Sequence, residues 1–164
     1  MKTLTFKEQM DVFCISKKED IEKRKEFISP KGKYKLSISE YKTKEGAWSV
    51  SRGIVTLMSS GEILADIKRN YPHFPYAFFE GHENGHDYII CGENYMGQTI
   101  IELDTKERTD DVSSGFCWIK ILPSPTGKYL AVVGCVWGLP CETGIYDFFK
   151  PMSLSLPCNV RGFF

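Results

Sequence analysis

No stretch of the sequence approaches the ~18 consecutive apolar residues that a membrane-spanning helix requires. The first residues, Met1 to Glu8, lack the apolar run of a secretory signal, so a cytoplasmic chain with no membrane partner is expected. Net charge is missing as well, because 21 Lys and Arg meet 21 Asp and Glu. Affinity for a phosphate backbone needs a cationic surplus, so no nucleic-acid partner is expected. Neither G-x-x-x-x-G-K-[ST] nor G-x-G-x-x-G occurs, which leaves no phosphate cradle. The G-x-S-x-G elbow of a serine nucleophile is absent too, and Ser114-Gly115 precedes a strand rather than a helix.

Six cysteines are present: Cys14, Cys91, Cys117, Cys135, Cys141 and Cys158. No C-x-x-C pair occurs, so a structural zinc site has no signature, and no metal or other cofactor is expected. Cys91 and Cys117 sit in apolar runs, where a reduced thiol behaves as a small core residue. Cys135 and Cys141 flank the turn Gly138-Leu139-Pro140 and can meet across a hairpin, which leaves one disulfide or a metal clip open.

A chain of 164 residues, 42% hydrophobic and 26% charged, can bury a real core and fits one domain or two very small ones. Charge is uneven: residues 1–35 hold ten Lys and Arg against six Asp and Glu, and the remainder holds eleven against fifteen. The mixed run Lys17 to Glu26 reads as a solvated helix face or a surface loop, with a weak site for an acidic partner as the alternative. Residues 1–26 are therefore read as an N-terminal extension.

From Phe27 onward strand signals dominate. Lys33 to Ser39 alternates polar and apolar, as a half-buried strand does. Ser49 to Met58 reads as a longer strand bulged at Gly53. Further strands are expected at Glu62–Lys68, Asp87–Cys91, Gln98–Leu103, Phe116–Leu122, Lys128–Val133 and Gly144–Phe149. Turn signals lie between them at Asn84-Gly85, Pro125-Thr126-Gly127 and Gly138-Leu139-Pro140. The fold class is all-β.

Three stretches share one grammar: apolar strand, Gly-containing turn, strand opening on an aromatic, loop, and a strand ending in Asp. The first runs from Phe27 through Ser29-Pro30-Lys31-Gly32-Lys33-Tyr34 to Asp66. The second runs from Ala77 through Asn84-Gly85 and Tyr88 to Asp104. The third runs from Ile119 through Ser124-Pro125-Thr126-Gly127-Lys128-Tyr129 to Asp147. Tyr34 and Tyr88 are 54 residues apart and Tyr88 and Tyr129 are 41, the excess being an inserted hairpin near Tyr41 to Val55. The units cover about 27–70, 71–110 and 111–150 of a single β domain, 27–164, that ends in a C-terminal tail.

Ser124-Pro125-Thr126-Gly127-Lys128-Tyr129-Leu130-Ala131-Val132 resembles the S-P-D-G-K-x-L-A turn of β-propeller blades of the WD-repeat and TolB-like kinds, and Ser29 to Tyr34 repeats it more weakly. Thr126 stands where those blades carry Asp, and no Trp-Asp dipeptide closes a unit. Asp87 to Glu93 and Gly134-Cys135-Val136-Trp137 are similar to a family of short uncharacterised bacterial proteins. The blade resemblance implies blade-like antiparallel units. Three blades do not close a propeller, so a twisted sheet or sandwich within one chain is expected. The alternatives are a homodimer closing a six-bladed ring, and the N-terminal segment covering one edge.

In such units the loops between second and third strands carry one aromatic each: Trp48, Tyr95 and Trp137. Loop aromatics bury much area at low entropy cost, so they are frequent anchors for a protein, peptide or small ligand. Glu93, Asn94 and Glu142 supply polar contacts beside them. The bland reading is that these aromatics lid the core. A non-enzymatic binding module is the expectation. A small hydrolase or lyase using Glu93, Glu142 and His86 is the alternative, its glycosidase form depending on the carboxylate separation. A third reading is a self-assembling structural protein. Gly81-His82-Glu83-Asn84-Gly85-His86-Asp87, the densest titratable cluster, reads as a solvent-exposed hairpin tip, because its glycines oppose the helix on which two histidines four apart would share a face. His73 is read as part of a packing loop.

Overall fold

The computed structural model describes residues 21–42, 49–92, 98–111, 116–136 and 139–154, together with the backbone of 158–160. Nearly all regular structure is β. The strands are β1 (Ile21–Ile28), β2 (Tyr34–Tyr41), β3 (Val50–Leu57), β4 (Ile63–Arg69), β5 (Tyr76–Phe79), β6 (Tyr88–Gly92), β7 (Gln98–Glu102), β8 (Arg108–Asp111), β9 (Phe116–Pro123), β10 (Tyr129–Val136), β11 (Glu142–Asp147) and β12 (Cys158–Val160). They form three four-stranded antiparallel sheets, each from consecutive strands: β1–β4, β5–β8 and β9–β12. Among the described residues no helix is long and apolar enough to cross a membrane.

The chain divides into two compact units, Met1–Phe74 and Pro75–Phe164. The first unit is the β1–β4 sheet. Its buried face is built by cross-strand rows, Leu36 opposite Val55 and Ala65, and Ile38 opposite Gly53 and Ile67. Gly53 is not a bulge. It pairs in register with both neighbours, and the irregularity in β3 falls between Val55 and Thr56. The absent side chain at Gly53 has another cause: a Cβ there would lie 2.7 Å from the buried Phe74 ring. On the other face Arg52 grips Asp66 with two bonds, Nε to Oδ1 at 2.9 Å and Nη2 to Oδ2 at 2.7 Å.

β1 begins at Ile21, so residues of the mixed charge run form a strand rather than a helix face or loop. As an edge strand it leaves most of its side chains in solvent, and charge on such an edge blocks pairing with a further chain. Its acids are used locally: Glu26 accepts from Ser37 at 3.1 Å and lies 3.1 Å from Arg24 and 3.5 Å from Lys35.

The second unit packs two sheets around one core. Tyr88, Ile90 and Ile100 come from the β5–β8 sheet, and Trp118, Ile121, Leu130, Val132 and Tyr146 from the β9–β12 sheet, with Phe148 beyond β11. β5 and β8 are the outer strands of one sheet, and β9 and β12 those of the other.

The two Ser-Pro-x-Gly turns have the same wiring. In the β1–β2 turn Gly32 N–H donates to Ser29 O at 2.8 Å, Ser29 N–H to Tyr34 O at 2.9 Å, and Tyr34 N–H to Ser29 Oγ at 3.0 Å. In the β9–β10 turn the corresponding bonds join Gly127, Ser124 and Tyr129 at 2.9, 2.8 and 3.1 Å. Both glycines are left-handed, with φ 74° and 70°, a region that costs other residues a steric penalty.

Candidate functional site

The β5–β6 turn shares the glycine bond of those turns but closes one residue earlier, His82 N–H donating to His86 O at 3.0 Å. Gly85 N–H donates to His82 O at 2.8 Å, and Gly85 has φ 88°. His82 thus stands where the sister turns have Ser29 and Ser124. The turn is a hairpin tip, but His82 is not solvent-exposed: it keeps only 4% of its surface. Glu83, Asn84 and Gly85 remain outside. An imidazole is larger than a hydroxymethyl group, so it fills the space between rings, meeting Phe79, Tyr88 and Phe148 edge-on at centroid distances of 5.7, 5.6 and 5.5 Å.

Both ring nitrogens are occupied. Nε2 faces the backbone oxygens of Phe148 and Gly127 at 3.0 and 3.2 Å, so it carries a proton and donates. Nδ1 is closed off by Asn84, whose Oδ1 lies at 2.9 Å and whose backbone N lies at 3.3 Å. Asn84 is oriented in turn by its other bonds. Its Oδ1 accepts from His86 N–H at 3.2 Å, and its Nδ2 donates to Tyr88 Oη at 2.7 Å.

Tyr88 extends the chain of bonds into the β-sheet. It stands opposite Glu102 in the β6–β7 register and donates to Glu102 Oε2 at 2.7 Å. Glu102 Oε1 accepts from Thr105 at 2.8 Å and lies 3.3 Å from His86 Nδ1. His86 Nδ1 is also 3.8 Å from Asp104 Oδ2, which accepts from Asp87 N–H at 2.8 Å. Asp87 Oδ1 accepts from Gly81 N–H at 2.7 Å and closes the turn. Burial pushes the Tyr88 hydroxyl up to about 12. The Asn84 amide opposes that rise, and the Glu102 carboxylate adds to it. Tyr88 is therefore a neutral donor at physiological pH.

Beside this network lies an open cleft of about 460 Å³. Its walls are Glu83 and Asn84 from the turn, the buried Tyr88, and the segment after β11 with Phe149, Lys150, Met152 and Ser153. A short 3₁₀ turn at Pro151–Ser153, closed by Ser153 N–H to Lys150 O at 2.9 Å, presents that segment. Met152 is half-buried against the core, whereas Phe149 is exposed. The cleft thus has an apolar lining with one cation and one anion at its rim. Among the described residues no group of three His, Cys, Asp or Glu is placed to hold a metal ion.

Of the residues expected at a binding face, Trp48, Glu93, Asn94, Tyr95 and Trp137 lie outside the described residues. Glu142 is the exposed first residue of β11, opposite Gly134. The Glu93–Glu142 separation therefore lies outside the described residues too. Within each antiparallel hairpin the cleft end, at the β5–β6 turn, is opposite the end that carries the β6–β7 loop. His86 has carboxylate neighbours, but they are Glu102 and Asp104. Sequence reasoning missed Tyr88, Glu102 and Lys150 as members of one site. Aligning Ser29, His82 and Ser124, each three residues before a turn glycine, was the available signal for His82.

No family model matches the chain. No solved structure matches it. An uncharacterised protein of Acanthamoeba polyphaga mimivirus is 40% identical over 131 residues, a match covering 77% of this chain and 51% of that protein. The chain spans about half the length of the curated relative it matches.

Proposed function

We propose that the chain is a non-catalytic binding module, and that the cleft beside the β5–β6 turn takes an apolar group bearing an anion, such as a hydrophobic peptide side chain next to a carboxylate. The carrying observation is the composition of the cleft: Phe149, Met152 and Tyr88 offer apolar surface, and Lys150 offers a cation at the rim. Concave, mostly apolar clefts with a few placed polar groups are the usual form of ligand sites. Two facts weigh against catalysis there. The nitrogens of His82 are both engaged, so it has no open lone pair for a substrate proton. Tyr88, raised to about 12, is not a phenolate nucleophile near neutrality. The loops bearing Trp48, Tyr95 and Trp137, with Glu93, Asn94 and Glu142, remain further proposed ligand contacts, each loop joining the second and third strands of its own sheet.

The test is a titration of ¹⁵N-labelled protein with 4-phenylbutyrate, an aryl group joined to a carboxylate. A ligand of this size is expected to bind with Kd of about 1–10 mM. Saturating shifts at the amides of Asn84, Lys150 and Ser153, lost in Lys150→Glu, support the reading. Shifts that are absent, or that survive both Lys150→Glu and Met152→Ala, overturn it.

A further inference from the structure

Two cysteines face each other in the β9–β12 sheet, and a third, Cys141, immediately precedes β11. Cys135 on β10 is directly opposite Cys117 on β9. On the other side of β10, Gly134 is paired with Glu142, the residue after Cys141. Side chains directly opposite each other in an antiparallel sheet share a face, with Cβ atoms about 4.5–5.5 Å apart. That is close to disulfide reach, which needs Cβ atoms about 3.5–4.5 Å apart. Cys141 lies beside Cys135 and adds to the rise that burial gives its thiol. All three are reduced.

Cys135 lies on the face of β10 turned away from the core. Leu130, Val132 and Gly134 alternate inward, and Ala131, Val133 and Cys135 alternate outward. Access is graded: Cys141 is exposed, Cys135 half-buried and Cys117 buried. Gly134 lets the strands approach closely at this point, since a Cβ there would overlap the Cys117 carbonyl oxygen.

We propose that Cys141, Cys135 and Cys117 form a thiol–disulfide exchange site that takes its oxidising equivalent from a low-molecular-weight disulfide. Cys141, the exposed thiol, loses its proton to solvent and attacks one sulfur of the small disulfide. The disulfide bond breaks, and one small thiolate leaves. Cys135 then loses its proton and attacks the Cys141 sulfur, expelling the second small thiolate. Two protein thiols have been oxidised to one disulfide, and one small disulfide has been reduced to two thiols. Cys117 is the neighbour on the far side: its thiolate can attack Cys135 and release Cys141, with no net change in oxidation. Access sets the order of attack, because Cys141 is exposed while Cys135 is half-buried and Cys117 buried.

The test treats the full chain with oxidised glutathione, alkylates the remaining thiols and maps chymotryptic peptides without reduction. Cleavage after Trp137 separates Cys135 from Cys141 unless a disulfide joins them. The expected result is Cys135 linked to Cys141, or to Cys117 after exchange, with no glutathione retained on the three cysteines. Cys135→Ser is expected to stop the reaction at a glutathione adduct on Cys141. Cys141→Ser, a change at an exposed position that leaves the core intact, is expected to slow oxidation of Cys135 by at least tenfold. Retained glutathione on Cys141 without a link to Cys135 in the unaltered chain, or unchanged oxidation of Cys135 in Cys141→Ser, overturns the proposal.

Discussion

The turn at His82 and the turns at Ser29 and Ser124 share a left-handed glycine bonded back to the first residue, and differ most in what that residue's side chain does. Each serine bonds back within its own hairpin, to the N–H five residues on, and stops there. His82 instead reaches out of its hairpin to Gly127 O and Phe148 O, 45 and 66 residues away in sequence. One substitution inside a shared turn thus converts a local closure into a tie between the two sheets of the second unit. The segment it anchors at Phe148 continues directly into the wall of the cleft. The candidate site lies where one turn departs from its siblings, because only the departure supplies a side chain long enough to hold distant backbone in place.

The strongest way to break the comparison is to erase the departure. His82→Ser gives the turn the side chain of its siblings, and it removes the Nε2 bonds and leaves a void among Phe79, Tyr88 and Phe148. The expected loss is about 3–4 kcal/mol, read from urea unfolding. The same variant is expected to lose the phenylbutyrate shifts even under conditions where it remains folded. A loss under about 1 kcal/mol means that the ring is no tie between the sheets.

The turn glycines give the next largest contrast. Gly32 and Gly127 have the same left-handed φ, so alanine meets the same backbone penalty of about 1 kcal/mol at each. Around Gly32 a Cβ meets open space, whereas at Gly127 it meets Phe79 and His82 ring atoms at 2.8–3.0 Å. Gly127→Ala is therefore expected to cost about 2–3 kcal/mol and Gly32→Ala about 1 kcal/mol. Equal costs in denaturant unfolding refute the packing argument.

Tyr88→Phe removes the link between Asn84 and Glu102 and is expected to cost about 1–2 kcal/mol at neutral pH. It also has a pH signature. The hydroxyl is raised from 10.0 to about 12 in the fold, so the folded chain holds this proton more tightly than the unfolded one. The stability it contributes is fully present below pH 10 and is lost as pH rises towards about 12. The stability difference between the unaltered chain and Tyr88→Phe is accordingly expected to be flat up to pH 10 and then to fall. A difference that rises above pH 10 contradicts the assigned direction.

Strand content was readable where alternation was clean, as in Lys33–Ser39 within β2, and where turns carried Gly with Pro or Asn. It was not readable where strands lack apolar period. β1 is mostly charged because it is a solvated edge, and Arg108–Asp111 contains no apolar residue at all. Gly53 was misread because a glycine inside a strand signals either a bulge or a close approach, and only the position of Phe74 decides between them. The hairpin at Gly81–Asp87 was legible from Asn84-Gly85. Its network was not, since Tyr88 meets Glu102 through a strand register and Lys150 arrives from beyond β11. Side chains that share a cleft by register leave no spacing rule in the sequence.

The finest test concerns the two turns that are alike. Ser29→Ala and Ser124→Ala each remove one acceptor for a backbone N–H, at nearly the same distance, 3.0 and 3.1 Å. Their surroundings differ. Ser29 keeps 3% of its surface and Tyr34 keeps 1%, while Tyr129 is 58% exposed. At the third turn water can replace the lost oxygen, so Ser124→Ala is expected to cost about 0.5 kcal/mol. At the first turn water has little access to the donor, and Ser29→Ala is expected to cost about 1–1.5 kcal/mol. Amide exchange offers a local reading of the same contrast: protection of Tyr34 N–H should fall more in Ser29→Ala than that of Tyr129 N–H in Ser124→Ala. The reverse order means that the shared hydrogen-bond geometry, rather than burial, sets the strength of these turns.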